Sequence, residues 1–160
     1  MAAGFGSNPG IPLLWLFAAA VGNLNAEPAG VRGRAQYIGG TVEGIANGAA
    51  GMMKTTDKEY LIFFTKSATL KVLYDRVNLL EYGQQVSRRY ALAVLVSPVF
   101  LFSKARRHFL TVGYTSDDGK QQAMVFVVGK NEIRTILATL EARTGRRVEF
   151  QDEESRRVGR

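Results

Sequence analysis

Five glycines within thirteen residues, Gly39, Gly40, Gly44, Gly48 and Gly51, decide the class of the first half of the chain. A glycine inside a helix costs about 1 kcal/mol relative to alanine, and isolated helices shorter than about 12 residues are marginal even in good formers. The segments between these glycines are too brief to stand as helices, so short extended runs joined by turns are what remains. The sequence beyond them repeats the pattern. Residues 60–65 (YLIFFT) are a run of β-formers, Lys66 and Ser67 supply a turn, and residues 68–73 (ATLKVL) alternate Leu70 and Val72 against Thr69 and Lys71. Tyr74, Asp75 and Arg76 break the alternation before a further strand at 77–83 (VNLLEYG). Residues 109–115 (FLTVGYT) and 121–128 (QQAMVFVV) flank Ser116, Asp117, Asp118 and Gly119, whose Asp-Gly pair is a strong hairpin signal.

One helix is expected after these strands. Ile133, Ile136, Leu137 and Leu140 fall at i, i+3, i+4 and i+7, which makes a single apolar stripe. Asn131 is placed to cap its start, Glu132 suits the positive end of the helix dipole, and Gly145 follows as a stop. Such a helix buries its stripe by packing on the sheet. Residues 147–150 (RVEF) add a short strand, and the mixed-charge residues 151–160 read as a disordered tail. The 160 residues suffice for one domain, so the organisation expected is an N-terminal hydrophobic segment at 1–26, a linker at 27–34 (EPAGVRGR), a domain at 35–150 and the tail.

The succession of strands at 70–83 (LKVLYDRVNLLEYG), the hairpin at 108–128 (HFLTVGYTSDDGKQQAMVFVV) and the helix at 133–145 (IRTILATLEARTG) resembles the pleckstrin-homology-like superfold of small bacterial PH-like proteins. It also resembles a group of uncharacterised exported bacterial proteins built in the same way. The resemblance implies a mainly β, α+β fold: a bent antiparallel sheet or barrel of about seven strands closed by a C-terminal amphipathic helix. It covers residues 35–150, is architectural, and implies no catalytic residue and no cofactor.

One segment departs from that plan. Residues 90–102 (YALAVLVSPVFLF) are apolar apart from Ser97, with Arg88 and Arg89 before them and Lys104, Arg106 and Arg107 after. As a helix this insert would be about 20 Å long, short of the ~30 Å hydrocarbon core, and Pro98 would split it. A shallow membrane insertion follows as one reading: Leu95, Phe100 and Phe102 enter the interface while the five cations meet lipid phosphates. The others are a buried connection whose basic ends sit in water, and a groove-binding segment for a protein partner.

The first 26 residues carry no charge and contain an 11-residue apolar run at 11–21 (IPLLWLFAAAV), a length suited to a signal-peptide core rather than a membrane span. The compartment expected is therefore outside the cytoplasm, periplasmic or secreted and membrane-associated, with a cytoplasmic chain as the alternative.

Most catalytic chemistry is excluded by what the chain lacks. It has no cysteine, hence no thiol nucleophile, disulfide or thiolate metal site, and His108 is its only histidine. Arg106 and Arg107 beside it oppose its protonation. Asp118-Gly119 reads as a turn rather than a calcium loop, and no Gly-Lys-Ser/Thr follows the glycine-rich stretch. Glu43, Asp57, Glu59, Asp75 and Glu81 read as solvated strand positions rather than a hydrolytic pair. A formal charge of +7 suits an acidic partner, but Tyr60, Phe63 and Phe64 read as core strand and not as a stacking platform for bases. The function expected is a non-catalytic module that docks on an anionic membrane or a protein partner through residues 88–107. The alternative is a structural or assembly protein of the cell envelope.

Overall fold

The computed structural model describes residues 31–86, 95–96 and 107–160. In chain order they form β1 (Arg32–Gly40), β2 (Ala50–Lys54), β3 (Tyr60–Phe64), β4 (Thr69–Leu73), a 3-10 turn (Tyr74–Arg76), β5 (Val77–Gly83), β6 (Leu95–Val96), β7 (His108–Thr115), β8 (Gln121–Val128), α1 (Ile133–Thr144), β9 (Glu149–Phe150) and α2 (Glu153–Gly159). The expected N-terminal segment at 1–26 lies outside the described residues.

Eight strands follow one another across a single sheet in the order β4-β3-β2-β1-β8-β7-β5-β9, and β6 pairs beside them with β1. The hairpins read from the sequence are present. At the first, Thr65 turns the chain: its Oγ1 accepts from the backbone N–H groups of Ser67 and Ala68 at 3.2 and 2.9 Å. At the second, Gly119 adopts φ +79°, which a side chain disfavours, and Ser116 N donates to Lys120 O at 2.9 Å.

Two parts of the expected sheet are corrected. It is mixed rather than antiparallel, because β9 runs parallel to β5, with Glu81 opposite Glu149 and Tyr82 opposite Phe150. It is also not closed into a barrel. The edge of β5 that could have met β4 is taken by β9, so the described sheet ends at β4 on one side and β9 on the other.

The core lies on one face of this sheet and under α1. Alternation sends Met124, Phe126 and Val128 of β8 and Leu110 and Val112 of β7 to that face, where they meet Ala35 and Tyr37 of β1 and Leu61 and Phe63 of β3. The predicted stripe of α1, Ile133, Ile136, Leu137 and Leu140, is buried against them. Gly145 ends the helix in the left-handed region, as expected. Asn131 does not cap it. Glu132 occupies the N-cap position without a side-chain cap, and the N–H groups of Glu132 and Ile133 instead both donate to Gly129 O at 3.2 and 3.1 Å.

Both predicted boundaries move outward. β1 begins at Arg32, inside the expected linker, and is tied at its start by Thr55: Val31 N donates to Thr55 Oγ1 and Thr55 N to Val31 O, each at 2.9 Å. The tail expected to be disordered carries α2. Asp152 caps it by accepting from Ser155 N at 2.6 Å, Glu153 and Glu154 sit in its first turn, and Arg156 and Arg157 in its last. Gly159 lets this helix settle on the sheet, since a Cβ there would stand 2.7 Å from Phe150 Cε1 and 3.1 Å from the Tyr82 ring. The insert is likewise not helical at Leu95 and Val96, which are extended and paired with Gly40 and Gly39.

Candidate functional site

The insert is anchored at three described places. Gly83 ends β5 directly opposite Phe109 of β7, so the chain leaves and re-enters the sheet on neighbouring strands at the same end. Midway, β6 pairs with the last two residues of β1. β8 already occupies one edge of β1 there, at Gly39–Val125 and Gly40–Met124, so β6 takes the other edge, beyond the point where pairing with β2 stops at Gln36–Ala50. Counted along the sheet at about 4.8 Å per strand, β6 lies four strands, about 19 Å, from the stem on β5. Of the residues singled out from the sequence, Leu95 belongs to β6 and Arg107 is a half-buried residue just before β7. Arg88, Arg89, Phe100, Phe102, Lys104 and Arg106 lie outside the described residues.

The face of the sheet away from the core is itself apolar around this anchor. Ile38 and Val125 are fully buried and Phe109 nearly so, with Val86, Ala123 and Val127 packed against them. Directly opposed residues share a face, so the register Glu81–Thr111–Val125–Gly39 makes one row across β5, β7, β8 and β1. Thr111 and Glu81 in that row are buried too, and Glu81 Oε1 accepts from Gln151 Nε2 at 2.9 Å. The row grades from polar at β5 to apolar at β1.

His108 opens β7, one residue ahead of the strand expected at 109–115, and its ring stacks on that of Tyr82 with centroids 6.0 Å apart and planes 10° from parallel. Tyr82 OH and His108 Nδ1 are 2.6 Å apart. Burial pushes the Tyr82 phenol up to about 12. Burial, and then the nearby Lys130 ammonium, hold His108 below the usual histidine range. Its protonation is thus opposed as the sequence suggested, but by desolvation and Lys130. With both groups neutral one hydrogen bond links the phenol oxygen and Nδ1, and the imidazole tautomer sets which of them donates. A weakened base beside a weakened acid is a latch between β5 and β7, ill suited to proton transfer near neutrality.

The latch has a testable pH signature. Because the folded pKa of His108 lies below its unfolded value near 6.5, the unfolded chain takes up the proton first. The stability involved is fully present above about pH 6.5 and is lost as pH falls through the lower folded value. Urea midpoints measured between pH 7.5 and pH 5 are expected to fall for the native chain and to fall less for His108→Asn. Equal slopes for the two would rule out the latch.

Among the described residues no three His, Asp or Glu side chains gather to hold a metal, and no helix is long and apolar enough to cross a membrane. No protein-family model matches the chain, and a search of the curated proteins finds no match.

Sequence reasoning placed no functional residue on α2. Yet α2 packs beside α1 and leaves a groove bordered by Arg134 and Arg160. The signal available was Asp152 followed by two glutamates and then two arginines, the order that a helix cap and dipole favour.

Proposed function

We propose that this chain is a non-catalytic binding module of PH-like arrangement that docks on anionic membrane through its basic-apolar-basic segment at 88–107. The arrangement is supported by seven strands of five residues or more, β1 to β5, β7 and β8, followed directly by the twelve-residue helix α1 on the core. The open sheet departs from the closed form of that superfold.

The observation that carries the docking reading is the pairing of β6 with β1. It gives Leu95 and Val96, which are apolar, a place at the sheet edge, and in the sequence the run they belong to is bracketed by Arg88, Arg89, Lys104, Arg106 and Arg107. A run too short to cross the bilayer and flanked by cations suits the interface, where each cation near an anionic surface contributes about 1 kcal/mol. Five would contribute about 5 kcal/mol, more than three decades in partitioning.

Co-sedimentation with phosphatidylserine-containing vesicles tests this. The chain is expected to pellet with them and not with neutral vesicles, and replacing the five cations by glutamine is expected to weaken binding at least 100-fold. Unchanged binding in that variant, or none in the native chain, contradicts the proposal.

A second reading, assembly in the cell envelope, draws on β4, which among the described residues is an edge strand paired with β3. Unpaired edges are templates for strand addition, although the exposed Lys71 in β4 opposes it. Dimers growing with concentration in sedimentation velocity would favour assembly, and a monomer throughout would remove it. On either reading the N-terminal segment directs export, which the mass of the mature chain in a periplasmic or secreted fraction would test.

A further inference from the structure

We propose that the groove between α1 and α2 binds an extended acidic peptide segment, at a site separate from the docking segment. Two adjoining hollows, of about 370 and 510 Å³, share Ala138, Glu141 and Arg160. The first is floored by Leu137, Val148 and Phe150 and edged by Arg134, and the second continues past Gly145 to Arg146 and Arg147. From Arg134 to Gly145 the helix rises about 16 Å, the length of about five extended residues.

Four guanidinium groups face this trough, and two are held in place. Arg134 Nε donates to Val158 O at 2.8 Å, which leaves its terminal amino groups for a ligand, and Arg160 lies 5.7 Å over the Phe150 ring. Preorganised guanidinium forks match carboxylates and lose little freedom on binding. The one acidic side chain in the lining, Glu141, is already engaged, its Oε1 accepting from Val148 N at 2.7 Å. Among the described residues Arg146, Arg147 and Arg160 have no ion pair, and on α2 Arg156 pairs with Glu153 at 3.3 Å.

The shape selects among acidic partners. A concave trough does not fit a planar bilayer. A single strand of nucleic acid would stack its bases on an open aromatic face, but Phe150 is covered by Arg160 on one side and meets Tyr82 edge-on at 6.0 Å. An apolar floor between cations suits a chain that alternates acidic with aliphatic side chains.

The test uses the full chain and a fluorescein-labelled hexapeptide of alternating glutamate and leucine, read by anisotropy. Saturable binding is expected, weakened at least 10-fold by the exposed double change Arg146→Glu and Arg147→Glu. The uncharged obstruction Ala138→Trp at the shared floor is expected to do the same, with circular dichroism and urea midpoints unchanged in both variants. Vesicle docking is expected to be untouched by either, which separates this site from the 88–107 segment. Absence of saturable binding, or full binding in both variants, overturns the proposal. So does a single-stranded oligonucleotide or an anionic vesicle that outcompetes the peptide and loses its binding through the same changes.

Discussion

Replacing Phe126 with alanine is expected to destabilise the fold by about 3–5 kcal/mol, the range for deleting a fully buried ring. Phe126 is completely buried on β8, where it stands opposite Tyr37 of β1 and Leu110 of β7. Its ring meets Tyr37 edge-on at 5.8 Å and Phe63 of β3 at 4.9 Å. One side chain therefore joins the strands of both halves of the sheet, and its loss opens a cavity that no single neighbour can fill. Against the roughly 5–15 kcal/mol that holds an ordinary domain folded, this is a large fraction. Urea denaturation should show a single transition with a much lower midpoint. Val127→Ala, one residue along and on the opposite face, is expected to shift the midpoint far less. Equal shifts would mean that the two halves do not share one core.

Alkaline unfolding is expected to be steep for a related reason. Burial pushes the phenols of Tyr37, Tyr74 and Tyr82 up to about 12, and burial raises Tyr114 as well. An unfolded tyrosine ionises near 10, so here the folded pKa is the higher one. The stabilisation is complete below about pH 10 and is lost as pH rises through about 12, because the unfolded chain gives up its protons first. Phenolate absorbance from these residues is expected to appear together with loss of far-ultraviolet circular dichroism and not ahead of it. The hydroxyl of Tyr74 is buried without a hydrogen-bond partner among the described residues. Tyr74→Phe should therefore remove one of the three ionisations at little cost, and a folded chain whose tyrosines all ionise near pH 10 would contradict the packing described.

What the sequence revealed follows from how local each signal is. The hairpin at Gly119 and the buried stripe of α1 were legible because turn chemistry and helical period are written within a few residues. The start of β1 was not, because Arg32 and Arg34 are exposed while Gly33 between them is buried, and Arg-Gly-Arg looks like a linker when read alone. Strand β9 is two residues long and gains its identity from β5, some seventy positions earlier. The extended state of Leu95 and Val96 depends in the same way on Gly39 and Gly40 of β1, a distant edge that overrides whatever an apolar run would do locally. The cations of the docking segment stand out in the sequence. The arginines of the α1–α2 groove do not, because they converge only once Gly159 lets α2 settle on Tyr82 and Phe150.

The chain contains no cysteine, so Phe100→Cys carrying an environment-sensitive fluorophore would report on one position only. Titrated with phosphatidylserine-containing vesicles, the label is expected to shift to the blue and to brighten, to do neither with neutral vesicles, and to lose the response when the five flanking cations are replaced by glutamine. A label that responds alike to both kinds of vesicle, or to neither, would contradict docking on anionic membrane through this segment.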